Sequence, residues 1–262
     1  MTATVTPCTE FLLQLRGANE GPQSLTDLSP PPALRLLVLA PHPDDFDEVA
    51  VTMKHFFESA ADITLAVLTG GASGVLDSFV TPATDARKIE VRETEQTNAL
   101  SFFGLPPDHV VFLRLPVSDD GELRLGPDAR DALAALFDGL APDIVILPHG
   151  DDTNAGHRRT FVTFRQMAAT ARKHVLGLYQ RDPKTISIRI DAYLPFDESE
   201  SQWKRQMLRF HRSQQERNLE QRGSGLDDRI LELNARTAAE LQIDDSYAEG
   251  FQVELFQPRR GR

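Results

Sequence analysis

The stretch Leu36-Leu-Val-Leu-Ala-Pro-His-Pro-Asp-Asp-Phe-Asp-Glu48 decides how this chain is expected to fold. It opens with a short apolar run, Leu36 to Ala40, which is typical of a buried strand. Pro43 cannot donate a backbone hydrogen bond and the aspartates beside it are poor strand formers, so the chain must leave the sheet here. Apolar residues then recur at helical spacing, at Phe46, Val49, Met53, Phe56 and Phe57. The pattern predicts a strand, a polar turn and an amphipathic helix.

One imidazole and two carboxylates, from His42, Asp44 and Asp45, fall on this turn. We expect Asp45 or a neighbour to cap the helix, with Asp47 and Glu48 in its first turn. Open α/β sheets bind ligands at strand-to-helix turns of this kind. A helix cap beside a solvated histidine is the plainer alternative, but a histidine with two adjacent carboxylates indicates a metal site at least as strongly.

The composition limits the class of protein. With 262 residues the chain can form one core, and its formal net charge is −11, from 39 acidic and 28 basic residues. This charge argues against sequence-independent nucleic-acid binding and against docking on an anionic membrane. No apolar run approaches membrane-spanning length, and the N-terminus lacks the pattern of a secretion signal. We therefore expect a cytoplasmic protein without an integral membrane segment, and a homo-oligomer is compatible with the sequence.

The single cysteine, Cys8, excludes an intramolecular disulfide and any multi-cysteine metal cluster. A metal would therefore have to be held by histidine and carboxylate side chains.

Strands and helices alternate along the chain. Residues 1–33, which include Pro30-Pro-Pro32, are expected to form an N-terminal arm, and residues 34–258 a single domain. The alternation predicts a Rossmann-like α/β sandwich of three layers with a mainly parallel central sheet. In the commonest order of such sheets the first and fourth strands are neighbours, so that the loops after them face each other across a crevice. The predicted strands are Leu36–Ala40, Ile63–Leu68, His109–Leu115 and Ile144–Leu147, with helices at Asp85–Phe103 and from Pro127 onward.

The C-terminal third carries weaker patterns. Alternation predicts a strand at Thr185–Ile190, charged residues indicate a helix from Trp203 to about Arg222, and Glu249–Leu255 is expected to return to the sheet.

A second loop rich in histidine and aspartate follows the fourth strand: Pro148-His-Gly-Asp-Asp-Thr-Asn-Ala-Gly-His-Arg158. In isolation it would be interpreted as an ordinary polar turn. Because the fold brings it against the first loop, a metal site becomes the better interpretation, with His42, His157 and one carboxylate of the aspartate pair as ligands. The spare carboxylate would lie within reach of a metal-bound water as a general base.

These residues resemble the PIG-L/LmbE family of metal-dependent N-deacetylases, which includes enzymes that act on N-acetylglucosaminyl conjugates. The resemblance implies His42, Asp45 and His157 as zinc ligands, for which iron(II) could substitute, and Asp44 as the general base. The matching segments are Pro41–Asp47, the Thr69-Gly-Gly turn, Arg92 with Glu95, Ala99 and Gly104, His149–Arg158, Lys204, His211–Gln214 and Tyr247–Phe251.

The resemblance also implies a function. Metal-bound water would attack the amide of an N-acetylated sugar or glycoconjugate, releasing a free amine. Two alternatives stay open: an amidase for a larger amide such as a thiol S-conjugate, and a catalytically silent carbohydrate-binding relative. A dinucleotide-binding oxidoreductase is disfavoured because no Gly-x-Gly-x-x-Gly turn follows the first strand.

Further site residues are expected around this centre. The resemblance associates Arg92 with the substrate pocket, although an ion pair of Arg92 with Glu95 on the helix surface is equally supported. Gly71 and Asp152 are also expected to bind substrate. Asn154 is assigned to catalysis as an oxyanion donor, with stabilisation of the turn as the alternative.

One departure from the family pattern stands out. The family usually carries aspartate directly before the third ligand, where this chain has Gly156. A ligating histidine normally donates its other ring N–H to a carboxylate or a carbonyl. We therefore expect Asp152, Asp151 or a backbone carbonyl to accept a hydrogen bond from the second ring nitrogen of His157.

Overall fold

Helices and strands alternate along most of the chain in the computed structural model, which describes residues 6–16 and 21–258. In chain order the elements are α1 (Pro7–Arg16), β1 (Gln23–Ser24), β2 (Arg35–Ala40), α2 (Ala50–Glu58), β3 (Asp62–Val67), α3 (Asp85–Phe103), β4 (Val110–Phe112), α4 (Pro127–Leu140), β5 (Ile144–Pro148), α5 (Ala155–Ala168), β6 (Val175–Gln180), β7 (Ala192–Phe196), α6 (Glu198–Leu208), α7 (Arg212–Arg222), α8 (Leu226–Leu241) and β8 (Tyr247–Phe256).

The strands form one sheet of eight, in the order β1-β7-β8-β6-β5-β2-β3-β4. The pairings are parallel except those of β8, which runs antiparallel to both β6 and β7. In the centre, β2 lies beside β5, with Leu36 opposite Ile144 and Val38 opposite Ile146. The expected adjacency of the first and fourth predicted strands is therefore confirmed, and the loops that follow them meet at one edge of the sheet.

Both faces of the sheet are covered, as a three-layer sandwich requires. Leu36 and Val38 of β2 face one apolar core, and Leu37 and Leu39 face the other. Residues of α4 and α5 fill the second core, whereas those of α1, α2, α3, α6 and α8 fill the first. The Rossmann-like α/β class is thus confirmed.

The N-terminal segment contributes to this architecture. Helix α1 buries Phe11, Leu12 and Leu15 in the first core, and β1 pairs with β7 at the sheet edge. Residues 1–5 and 17–20 of the expected arm lie outside the described residues. The division of the chain at residue 33 stays a prediction.

The C-terminal third differs from the sequence prediction. Thr185–Ile190 is not a strand: Thr185 forms only an isolated bridge to Asp152, and Ile186 is 65% exposed. The alternation there buries no face, and the strand lies just beyond, in β7. The helix expected from Trp203 to Arg222 is divided into α6 and α7, and the turn between them places His211 in the interior.

Contrary to the sequence prediction, the N-terminus of α2 is not capped by a side chain of the preceding turn but is stabilised by a residue of a distant strand. The backbone N–H groups of Val51 and Thr52 donate to Glu249 of β8, at 3.1 and 2.7 Å. Asp45 does not cap the helix because its Oδ2 accepts the backbone N–H of His42 at 2.7 Å. The carboxylate of Asp45 is thereby directed toward the crevice.

Candidate metal centre and active site

The two polar loops after β2 and β5 bring together the three side chains that the sequence predicts as metal ligands. His42 and Asp45 follow β2, and His157 lies in the first turn of α5. All three residues are buried, and one ligand atom of each lies within 4.8 Å of the others. Asp45 spans the two histidines, with Oδ2 at 3.5 Å from His42 Nδ1 and Oδ1 at 3.5 Å from His157 Nε2.

The donor set fits a divalent transition metal. Two imidazoles and one carboxylate are typical ligands of zinc and also suit iron(II). Asp45 Oδ1 is buried without a hydrogen-bond partner among the described residues, so a donor or a cation is missing at that oxygen. Burial works against the ionised carboxylate, but His157 and His42 together hold the pKa of Asp45 well below its usual value. Asp45 is therefore available as an anionic ligand.

Two carboxylates lie beside Nδ1 of His157, and that of Asp152 forms a hydrogen bond with it. Its Nδ1 lies 3.0 Å from Asp152 Oδ2 and 2.9 Å from Asp182 Oδ2. These three residues also lie close enough to hold an ion. With Nε2 facing Asp45, however, Nδ1 is the nitrogen that donates to an outer carboxylate. Asp182 had no signal in the sequence, because the segment after β6 has no regular pattern.

The expectation that Asp152 contacts substrate is not supported by its position. Its side chain has no exposed area, and its two oxygens accept from His157 and from the backbone N–H of Asn154, the latter at 2.6 Å. An orienting role fits this placement better.

His42 has an outer carboxylate of its own. Its Nε2 lies 2.8 Å from Oε2 of Glu122, which comes from the segment between β4 and α4. Burial disfavours charge on both groups, but the hydrogen bonds to Asp45 and Glu122 hold the pKa of His42 above its usual value. Against the same effect of burial, the bond to His42 keeps the pKa of Glu122 below its usual value. Sequence reasoning missed Glu122.

Asp44 is held beside the ligands in an unusual backbone conformation. Its φ is 120°, a region that non-glycine residues seldom occupy and that surrounding contacts must enforce. Its N–H donates to Gln96 Oε1 at 2.8 Å, and Arg92 Nη2 donates to its Oδ1 at 2.8 Å. Arg92 also donates to the Pro43 carbonyl.

Arg92 is buried at the wall of a cavity and does not lie on the helix surface. A surface ion pair with Glu95 is wrong, because Arg92 is 2% exposed and Glu95 instead accepts from the backbone N–H and hydroxyl of Ser213, at 2.7 and 2.6 Å. The guanidinium of Arg92 is committed to the first loop, at the wall of the cavity. A direct contact with substrate stays a prediction.

A cavity of about 450 Å³ opens onto these groups. Gly71 lines it with a φ of 60°, and a Cβ there would lie 3.2 Å from Pro43 Cδ, so glycine keeps this turn close to the first loop. Asn154 both lines the cavity and caps α5, where its Oδ1 accepts the His157 N–H at 3.0 Å. Other lining residues are His42, Asp44, Ser73, Gly74, Arg92, Asp120, Glu122, Lys184, Gln214, Arg217 and Arg222.

Lys184 is a second residue that the sequence did not indicate. Its Nζ lies 3.5 Å from His157 Nε2, on the cavity side of the histidine. Burial works against its charge, but Asp182 and Asp45 raise the pKa of Lys184 above its usual value. It is therefore a fixed positive charge beside the three ligand side chains.

A buried polar network lies behind the first loop. Lys204 Nζ donates to Glu249 Oε1 at 2.6 Å, and His211 Nε2 lies 2.9 Å from Asp47 Oδ2. His211 is thus a buried partner of Asp47 and is not one of the three candidate ligands. Both networks connect the C-terminal helices to the loop that carries His42 and Asp45.

The fold and the site together define a class: a Rossmann-like α/β protein with histidine and aspartate side chains grouped at the carboxyl ends of parallel strands. Residues 37–168, half of the chain, match the family model PIG-L, described as GlcNAc-PI de-N-acetylase. The chain belongs to the PIG-L family. A comparison with curated protein sequences gives no match.

Solved structures share the fold. N,N'-diacetylchitobiose deacetylase from Pyrococcus horikoshii has a TM-score of 0.69 at 16% identity, over 84% of this chain and 83% of its own. The zinc-inhibited form of teicoplanin deacetylase Orf2 has a TM-score of 0.60 at 17% identity, over 84% and 98%. GalB, the 4-carboxy-2-hydroxymuconate hydratase from Pseudomonas putida KT2440, has a TM-score of 0.65 at 17% identity, over 87% and 98%. The same fold therefore carries more than one reaction.

Among the helices that the structure describes, none has both the length and the apolar character needed to cross a membrane.

Proposed function

We propose that this protein is a metal-dependent hydrolase that removes an N-acyl group, typically acetyl, from a substrate that contains an amino sugar. The observation that carries the proposal is the grouping of His42, Asp45 and His157 within 4.8 Å, beside a cavity that the Asp44 carboxylate lines. Membership of the PIG-L family and the deacetylases among the structural neighbours support the same reaction.

The three ligand residues would hold zinc or iron(II), and such a cation, when bound, supplies Lewis acidity that polarises the amide carbonyl and makes water more acidic. Asp44 is the residue that accepts the proton of the attacking water, and afterwards gives it to the leaving amine. The hydrogen bond from Arg92 Nη2 to Asp44 Oδ1, at 2.8 Å, fixes this carboxylate and leaves Oδ2 for proton transfer. Asn154 lines the same cavity, and the second N–H of its amide, beside the one that donates to Glu122, would donate to the developing oxyanion.

The cavity also favours a substrate with an anionic substituent. Arg217 and Arg222 of α7 line the wall beyond Arg92. Burial, and then repulsion by Arg222 and Arg92, lower the pKa of Arg217, so the three guanidinium groups create a positive potential on this side. A phosphate or carboxylate on the sugar would relieve that repulsion.

The decisive experiment is a screen of the metal-loaded protein on N-acetylated substrates. The panel contains N-acetylglucosamine, its 1- and 6-phosphates, N,N'-diacetylchitobiose and an N-acetylated thiol S-conjugate. The readouts are acetate and free amine, because a hydratase shares the fold and loss of substrate alone would not identify hydrolysis.

We expect acetate and amine in equal amounts from at least one sugar, and formation of both about a hundredfold slower or more in the Asp44→Asn variant at equal metal content. Turnover confined to the S-conjugate would favour the larger-amide amidase. Binding of sugars without turnover, by protein that holds its metal, would favour the silent carbohydrate-binding relative and refute the proposed hydrolase.

A further inference from the structure

The space beside Gly156 is already filled by another residue. A Cβ at this position would overlap Glu122 Oε2, and it would lie 3.0 Å from Asn154 Oδ1 and 3.4 Å from His42 Nε2. Any side chain at 156 would therefore approach His42 and Asn154, the same two side chains that Glu122 contacts. The absence of a side chain at Gly156 thus leaves the space that the carboxylate of Glu122 occupies.

Glu122 connects the two polar loops through both of its oxygens. Oε2 lies 2.8 Å from His42 Nε2, and Oε1 accepts from Asn154 Nδ2 at 2.9 Å. Its side chain is 17% exposed, so these bonds are largely shielded from solvent. A carboxylate held in this way has little freedom to move and can accept a hydrogen bond from the imidazole.

The segment that carries Glu122 is anchored to the helix that carries His157. Val117 and Leu123 form an antiparallel bridge, and the Ser118 N–H donates to the Glu122 carbonyl at 2.9 Å. Arg159 of α5 donates to the Leu123 carbonyl and to Asp120 Oδ2, both at 2.9 Å. Glu122 is therefore held in place by the backbone rather than by its own bonds alone.

We propose that Glu122 is a positioning residue for the metal ligand His42, and that it supplies the carboxylate that a side chain at position 156 would otherwise provide. By accepting from Nε2, it leaves His42 Nδ1, 3.5 Å from Asp45 Oδ2, as the nitrogen that would face a metal. Asp152 performs the same service for His157. This inference rests on the metal site of the proposed function.

The test is a carboxylate swap read out as metal affinity, measured by competition with a chromophoric zinc chelator in the absence of substrate. Loss of an outer carboxylate typically weakens metal binding about ten- to a hundredfold. We expect Glu122→Gln, which keeps the shape but loses the charge, to fall in this range. The matched control is Asp119→Asn, which removes one charge from the same segment at an exposed residue.

The swap separates positioning from simple charge. Gly156→Asp alone should weaken zinc binding, because its side chain meets Glu122. The double variant Glu122→Gly with Gly156→Asp should bind zinc better than either Glu122→Gly or Gly156→Asp alone, since one carboxylate again occupies the space beside His42. Thermal unfolding of the metal-free forms shows whether each variant is folded.

Two results would overturn the inference. One is Glu122→Gln binding zinc as tightly as the natural protein; the other is a double variant whose loss is the sum of the two single losses. If the natural protein itself binds no zinc or iron(II), the proposed function fails together with this inference. If it binds metal normally and only the swap fails, the proposed function stands.

Discussion

Replacing Lys204 with methionine should lower the free energy of unfolding by about 3–5 kcal/mol, the usual cost of removing one partner from a buried ion pair. The side chains of Lys204 and Glu249 are 0% and 1% exposed. Lys204 Nζ uses all three of its protons, donating to Glu249 Oε1 at 2.6 Å, the Glu48 carbonyl at 2.7 Å and Asn234 Oδ1 at 2.8 Å. Methionine fills a similar volume but satisfies none of these acceptors.

The cost arises mainly at Glu249. Its carboxylate also accepts the backbone N–H groups of Val51 and Thr52 at the start of α2. Without Lys204 it stays buried with neutral donors only, and a buried unpaired charge is expensive. Adding Glu249→Gln removes that charge, so the double variant should be less destabilised than the sum of the two single variants, by about 0.5–3 kcal/mol.

The assay is equilibrium urea unfolding of the metal-free protein, followed by circular dichroism. Arg189→Met is the matched control, because Arg189 pairs with Asp191 on the surface and its side chain is 73% exposed. Such a pair contributes about 0–1 kcal/mol. A Lys204→Met variant within about 1 kcal/mol of the natural protein would refute the reasoning, as would strict additivity with Glu249→Gln.

Four further predictions concern the site. Asp44→Asn should retain the metal but lose about a hundred- to ten-thousandfold in kcat. Asp45→Asn should weaken zinc binding by more than the roughly hundredfold loss that follows removal of a carboxylate that only contacts a ligand. Metal analysis with single-turnover kinetics separates the two. Asn154→Ala should lower kcat by about a hundred- to a thousandfold with little change in substrate affinity, and unchanged kcat would return Asn154 to a capping role. Arg217→Gln should raise KM about tenfold or more for a phosphorylated N-acetyl sugar, consistent with about 1.5–3 kcal/mol for a charged hydrogen bond, and should leave the neutral sugar unaffected. Zinc binding should release protons and tighten as the pH rises, because both imidazoles must be neutral to bind the metal. Despite burial, neighbouring carboxylates hold the pKa values of His42 and His157 above their usual value. Calorimetry in buffers of different ionisation enthalpy that detects no proton release would contradict this prediction.

The sheet could be predicted because its signals are local. The apolar run of β2 has polar breaks on both sides, and the left-handed Gly104, at φ 97°, ends α3 where the sequence indicated. Strand order then follows from the general behaviour of parallel sheets rather than from any residue. The rule for parallel sheets does not apply near the C-terminus, because β8 pairs antiparallel with β6 and β7. There the strand β7 lies beyond the alternating residues Thr185–Ile190.

The site could be predicted only where its residues lie on the turns that lead from a predicted strand into the next helix. His42, Asp44 and Asp45 follow β2, and His157 lies in the first turn of the helix after β5. Glu122, Asp182 and Lys184 come from irregular segments, whose paths depend on long-range contacts that no periodicity encodes. The departure at Gly156 predicted a carboxylate partner for His157, and Asp152 lies 3.0 Å from its Nδ1. It gave no indication of Glu122, which contacts His42 instead.

The charges around the two histidines explain why these separate segments converge. Carboxylates outnumber fixed cations in this small buried region, and uncompensated charge there must be neutralised by bound protons or by a metal. Neighbouring carboxylates raise the pKa values of both histidines against the effect of burial, as this balance requires. A divalent cation can replace two protons without changing the total charge, while each imidazole keeps one nitrogen for the cation and one for an outer carboxylate. Asp152 and Asp182 both face Nδ1 of His157, whereas among the described residues Glu122 alone faces Nε2 of His42. Moving one of these carboxylates therefore requires a compensating change elsewhere, as the pairing of Glu122 with Gly156 illustrates. The groups in this balance are the carboxylates of Asp44, Asp45, Glu122, Asp152 and Asp182 and the cations of Arg92 and Lys184.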